Sequence, residues 1–192
     1  VHGLVGENGA GKSTLIKILS GIHTPDEGHI ELENEPVTIT SVHQAQSLGI
    51  ATIFQELTVI PELTVGENIF LGREPLKQLG FIDRKSLKEQ SRDVLNSLNT
   101  PVKSDDLVGR LSVANQQVIE ICKALVLNAR VIIMDEPTSS LTEHEIRQLF
   151  KTIQDLKARG ITILYVSHKI EEIFEICDYV TVFRDGEHID TK

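Results

Sequence analysis

No stretch of this sequence comes near the roughly 18 consecutive apolar residues that a membrane-spanning helix requires, so a role at a membrane would have to run through a partner. Positive charge is in short supply: 19 Lys and Arg face 28 Asp and Glu, for a formal net charge of −9. A broad nucleic-acid footprint needs a basic face, and this balance argues against one. Cysteine is nearly absent. Cys122 and Cys177 are too few and too far apart in the chain for a disulfide framework or a zinc site, and they read as buried thiols in a reducing compartment. There is no secretory leader pattern, internal repeat or low-complexity tract. An initiator methionine is missing too; the chain opens inside an apolar strand pattern and reads as a piece of something longer.

A length of 192 residues, 40% hydrophobic and 24% charged, suits one globular α/β domain with a sizeable core. The most informative stretch is Gly6-Glu7-Asn8-Gly9-Ala10-Gly11-Lys12-Ser13-Thr14, which fits the phosphate-loop pattern G-x-x-x-x-G-K-[ST]. Its glycines let backbone N–H groups turn inward and cradle phosphate oxygens. Lys12 can reach β- and γ-phosphates, and the Ser13 hydroxyl is placed to hold Mg²⁺. A strand at 1–5 precedes the loop and a helix through Leu15–Leu19 follows it, its N-terminus aimed at the same phosphates. The site expected is one for a nucleoside triphosphate.

Along the chain, 29–33 and 37–39 read as an antiparallel hairpin around Asn34-Glu35-Pro36, then 41–48 as a short helix closed by Gly49. Strands are expected at 50–54, 131–134, 161–166 and 179–183, with Asp185-Gly186 turning the last. Between 57 and 128 the composition is helical, punctuated by Pro61, Pro75 and Pro101. Asp83 caps one helix there, and a second runs from about Asn115 to Leu127. Thr142 and Glu145 form a capping box before a helix stopped by Gly160, and another helix spans 170–176. The fold expected is an α/β P-loop NTPase: a mostly parallel sheet, a short antiparallel β-hairpin and an inserted helical subdomain. Residues 1–56 and 130–192 would form the core and 57–129 the insertion, all within a single domain truncated at its N-terminus.

In a parallel sheet, strand ends converge on the ligand crevice. Asp135 and Glu136 follow an apolar strand directly, so Asp135 is a candidate for Mg²⁺ and Glu136 for the base that activates water. Of the seven histidines only His168 also follows a buried strand; it could bond a γ-phosphate or the attacking water. Gln55 ends another strand and could touch both metal and water. Ser112 opens a helix, where a hydroxyl is usually a simple cap but can also bind an anion.

In the order phosphate loop, Gln55, Ser112, Asp135-Glu136, His168, the chain resembles an ATP-binding-cassette (ABC) ATPase over essentially its whole length. By that resemblance Gln55 is the Q-loop residue, Leu111–Gln117 the signature motif, Ser139-Ser140-Leu141-Thr142 the D-loop and His168 the switch histidine. Two cassettes would sandwich ATP and Mg²⁺ head to tail, with Gly6–Thr14, Gln55, Asp135, Glu136 and His168 serving one site. Ser13, Gln55 and Asp135 would face the metal, and Ser112 and Ala114 would reach the partner cassette's nucleotide. Gly49–Leu57, Leu63–Glu74 and Gln116–Leu125 are similar to bacterial monosaccharide importers of the ribose and galactoside type, which carry two fused cassettes. The intact phosphate loop is like their first cassette. The resemblance implies ATP hydrolysis at the cytoplasmic face of the bacterial inner membrane, peripheral to a transmembrane permease that a periplasmic sugar-binding protein feeds.

Val113, Ala114 and Asn115 stand where the wider family has two glycines and a glutamine, a variant the sugar-importer subgroup shares. The aromatic residue that stacks on adenine in the family would lie upstream of Val1, so adding that segment is expected to raise nucleotide affinity. The alternative is a soluble, non-transport cassette ATPase acting on DNA or the ribosome. Gln55 and Ser112 are too close for the long coiled-coil insertion of repair-type cassettes, and the acidic balance does not favour nucleic acid.

Overall fold

The computed structural model describes residues 1–192. Eight strands and seven α-helices follow the chain: β1 His2–Gly6, α1 Lys12–Leu19, β2 Ile30–Leu32, β3 Glu35–Val37, α2 Val42–Ser47, β4 Ile50–Ile53, α3 Val65–Ile69, α4 Arg84–Ser97, α5 Val113–Val126, β5 Val131–Asp135, α6 Glu143–Ala158, β6 Thr162–Val166, α7 Ile170–Ile176, β7 Tyr179–Arg184 and β8 Glu187–Thr191. No helix is long and apolar enough to cross a membrane.

Continuous apolar runs make strands that are covered on both faces. Ile132, Ile133 and Met134 of β5 and Ile163, Tyr165 and Val166 of β6 are all wholly inaccessible. They form the middle of a six-stranded sheet ordered β4-β5-β6-β1-β7-β8. Every neighbouring pair is parallel except β7 with β8. The mostly parallel sheet is thus as expected; its antiparallel edge strand β8, exposed along its whole length, is an addition. Asp185 and Gly186, both with positive φ, make the turn into it.

Chain contacts divide the molecule into two compact units: residues 1–55, 129–137 and 156–192, and residues 56–128 with 138–155. The first holds the sheet and the β2–β3 hairpin. Its core packs Leu4, Ile16, Ile39, Ala45, Ile50, Ile133 and Val166 together. The second holds α3, α4, α5 and most of α6. Pro61, Pro75 and Pro101 all lie outside its helices. Asp83 caps α4, accepting from the N–H groups of Lys85 and Ser86 at 3.2 Å each.

Two local expectations need correcting. The hairpin turns at Glu33-Asn34, both with positive φ, and not at Asn34-Glu35-Pro36; Leu32 pairs with Glu35 and Pro36 lies inside β3. A two-residue turn with both φ positive matches strand twist, and in a two-stranded ribbon the proline's missing N–H can face outward. Cys122 is buried, its thiol pushed up to about 12 by desolvation, but Cys177 is only half-buried and rises to about 11 for the same reason.

Gly6, at the end of β1, sits opposite Phe183 of β7. A Cβ there would lie 2.4 Å from the Phe183 carbonyl oxygen, so the two backbones must separate to admit one. Gly6→Ala is expected to cost about 1–3 kcal/mol, the usual range for overpacking. Urea denaturation would register this as a lower midpoint at unchanged slope; an unmoved midpoint would show that β7 can yield.

Candidate functional site

The phosphate loop forms because β1 ends at Gly6 and α1 begins at Lys12, leaving a short turn at the C-terminal edge of the sheet. Gly11 has φ 97°, a conformation that excludes most side chains, and serves as the N-cap of α1 without any side-chain cap. The first amides of α1 therefore meet no capping side chain, and their partial positive charge favours an anion. Lys12 is only 7% exposed, and its ammonium is paired: Nζ donates to the carbonyl of Gly6 at 2.7 Å and of Glu7 at 3.1 Å.

A cavity of about 460 Å³ is lined by Asn8–Thr14 together with Gln55, Asp135 and Glu136. Asp135 closes β5, whose apolar run holds it against the sheet. Burial raises its carboxyl above the ordinary range, the Glu136 charge adds to this, and Lys12 opposes both. Oxygen donors of three kinds, the Ser13 hydroxyl, the Gln55 amide and the Asp135 carboxylate, face this one space. That set suits a hard cation such as Mg²⁺, which takes few protein ligands and keeps phosphate and water for the rest. No group of three or more His, Cys, Asp or Glu offers a fully proteinaceous metal cage.

Glu136 has φ 46°, a left-handed conformation that costs free energy in a non-glycine residue. Its N–H donates to the carbonyl of Val166 in β6 at 2.9 Å, which continues the β5–β6 pairing one residue past the strand. Its Oε1 lies 3.2 Å from Nδ1 of His168, whose imidazole is half exposed. A second cavity of about 790 Å³ is lined by this pair together with Val5–Asn8, Ile170 and Val182–Arg184. The first unit thus brings together the phosphate loop, Gln55, Asp135, Glu136 and His168.

Ser112 and Ala114 belong to the second unit. Ser112 caps α5 and accepts from the Asn115 N–H at 3.4 Å. Glu145 shares this neighbourhood. Its carboxyl is held below the usual range by the Thr142 N–H first, then by the Thr142 hydroxyl, with the Ser112 hydroxyl a lesser contributor. The Thr142–Glu145 capping box expected from the sequence is therefore present, with both reciprocal bonds made.

Sequence patterns did not single out Glu172. It lies in the first turn of α7, is 6% exposed and accepts hydrogen bonds from Tyr165 Oη at 2.8 Å and Ser167 Oγ at 3.0 Å. A glutamate in a first helical turn is unremarked because such residues are common there; only its burial makes it distinctive.

The chain matches the ABC transporter family over residues 1–139. It is 52% identical over all 192 residues to a protein of Halalkalibacterium halodurans described as a putative ribose/galactose/methyl galactoside import ATP-binding protein, of which it covers 37%. With the ribose import ATP-binding protein of Bacillus licheniformis the identity is 50%, again over the full chain and 39% of the relative. The arabinose import ATP-binding protein of Yersinia pestis is 50% identical over 191 residues, with 36% of its length covered. The chain spans well under half the length of these relatives. Among solved structures, a nucleotide-free ATP-binding cassette from an ABC transporter superposes with a TM-score of 0.84 at 29% identity, covering 100% of this chain and 79% of that one. The ADP conformation of a cassette gives a TM-score of 0.84 at 30% identity with the same coverage.

Proposed function

Because the chain belongs to the ABC transporter family, we propose that it is the ATP-binding and hydrolysing cassette, a single domain, of a bacterial importer of monosaccharides. The observation that carries this is the meeting of Glu136 and His168, 3.2 Å apart, beside the cavity that the phosphate loop lines. The relatives' names supply the sugar class.

In the proposed mechanism the amides of Gly6–Thr14 and the Lys12 ammonium hold the phosphates of ATP. Ser13, Gln55 and Asp135 would hold Mg²⁺, which when bound neutralises charge on the phosphate oxygens. Glu136 takes a proton from water as the water oxygen bonds the γ-phosphorus. The bond to the bridging oxygen then breaks and ADP leaves with that electron pair. His168 donates to a γ-phosphate oxygen and keeps the Glu136 carboxylate in line. Ser112 and Ala114 complete the γ-phosphate site of a second cassette fused in the full-length protein, using the same anion-binding chemistry of a helix N-terminus. Opening and closing of the two cassettes drives a transmembrane permease, at the cytoplasmic face of the inner membrane, that receives its sugar from a periplasmic binding protein.

The test is ATP hydrolysis by the full-length protein with its permease in vesicles, with binding protein loaded with ribose, galactose or arabinose. Stimulation by one sugar is expected. Hydrolysis that no sugar stimulates removes monosaccharide import; an absence of hydrolysis removes the ATPase itself.

A further inference from the structure

We propose that Glu172 is the positioning residue for His168: a buried carboxylate that ties both chain neighbours of the histidine and thereby holds its imidazole on Glu136. The inference rests on the hydrolytic role proposed for that pair.

A carboxylate taken out of water is costly unless its oxygens are fully engaged. Glu172 is engaged on both. Oε2 accepts from the Tyr165 hydroxyl at 2.8 Å and the Ser167 hydroxyl at 3.0 Å, and Oε1 lies 3.1 Å from the Lys169 ammonium. Ser167 in turn accepts from the Lys169 N–H at 3.0 Å. Tyr165 is wholly inaccessible in β6, a central strand, so the network is anchored in the interior of the sheet. Ser167 and Lys169 flank His168 on either side, and each reaches the same carboxyl group.

The histidine needs such a clamp. Its side chain is 56% exposed, and the turn that carries it leads into α7 through Lys169, an N-cap that makes no side-chain cap bond. An exposed imidazole on a free turn would sample several rotamers and leave Glu136. Favouring the start of α7 does not require Glu172, because Glu171 beside it is exposed and already supplies a negative charge to the first turn. A fully satisfied buried network specifies one arrangement, and here the arrangement specified is that of residues 167–169.

Glu172→Gln keeps the side chain's size but turns an amide donor toward one of three donors. In the full-length protein with its permease, kcat for ATP hydrolysis is expected to fall about ten-fold while KM for ATP changes less than about two-fold. In a His168→Ala background the same substitution should cost less than about two-fold, because residues acting through one group are not additive. Equal losses in both backgrounds would make Glu172 a general stabiliser and overturn the proposal, as would an unchanged kcat. Lys169→Met, at a more exposed side chain, removes one arm should Glu172→Gln fold poorly; a loss of about three-fold that depends on His168 is expected, and one independent of it overturns the proposal.

A readout independent of activity separates this inference from the hydrolytic reading. In histidine-labelled full-length protein, the His168 ring signal should shift or broaden in Glu172→Gln while that of His23 stays in place. An unmoved His168 signal overturns the positioning role whether or not the protein hydrolyses ATP. Absence of hydrolysis in the parent protein, with the His168 signal moved, would instead overturn only the hydrolytic reading.

Discussion

Glu136→Gln is expected to lower ATP turnover by about 10²–10⁴-fold, the usual contribution of a general base, while leaving ATP binding intact. The amide fills the same space but has no lone pair basic enough to take a proton from water. Nothing in the local backbone should move, because the left-handed turn at Glu136 is held by its own N–H bonding Val166 in β6. Side-chain isomerism is limited too: only 19% of the Glu136 side chain is exposed, and His168 lies against it. Single-turnover hydrolysis and equilibrium binding of ATP by the full-length protein measure the two effects separately. Undiminished turnover would remove Glu136 from the role of base, and weakened binding would show that the side chain also shapes the phosphate site.

Lys12→Ala should fail in the opposite way, at binding. The Lys12 ammonium is directed onto the carbonyls of Gly6 and Glu7, at the head of the phosphate loop. Exchange of these carbonyls for phosphate oxygens turns ordinary acceptors into charged ones, and each charge-assisted bond is worth about 1.5–3 kcal/mol. Losing even one or two corresponds to a drop in ATP affinity of about 10–100-fold or more. The substitution also removes the cation that opposes the upward push on the Asp135 carboxyl, so that carboxyl becomes harder to ionise. Titration calorimetry with ATP and Mg²⁺ on the full-length protein checks this. An unchanged Kd would mean that the loop amides and the start of α1 hold the phosphates without the lysine.

Much of the fold was legible because its signals are local. The phosphate loop needs glycines at fixed spacing, Gly11 for its positive φ and Gly6 for its close approach to Phe183, and α1 begins two residues after the last free position of the pattern, at Lys12. The strands β5 and β6 announce themselves as apolar runs because both faces are covered. Capping motifs at Asp83 and Thr142 were equally readable, since the partners lie within one turn of helix. The β2–β3 turn was misplaced by one residue because proline was weighed above the left-handed preference of asparagine. Strand β8 gave no apolar signal: it is an exposed edge, paired only with β7.

The candidate site divides in the same manner. Glycine spacing, the acidic pair after an apolar strand and a histidine after the next one are properties of the chain in order, and the roles proposed for them rest on residue type. The 3.2 Å approach of His168 to Glu136 is not such a property, because the two residues follow different strands and meet only when β5 and β6 pair in one register. Burial of Glu172 is likewise decided in three dimensions: the same glutamate at the start of an exposed helix would be a solvated charge, whereas against Tyr165 it must find hydrogen-bond donors, and the donors it finds flank the histidine. Order and residue type were therefore determined by the sequence by itself, since they follow from local sterics and chemistry. Which side chains touch, which lose their water and which are held still were decided by the tertiary structure, because those depend on long-range packing that no short window of sequence contains.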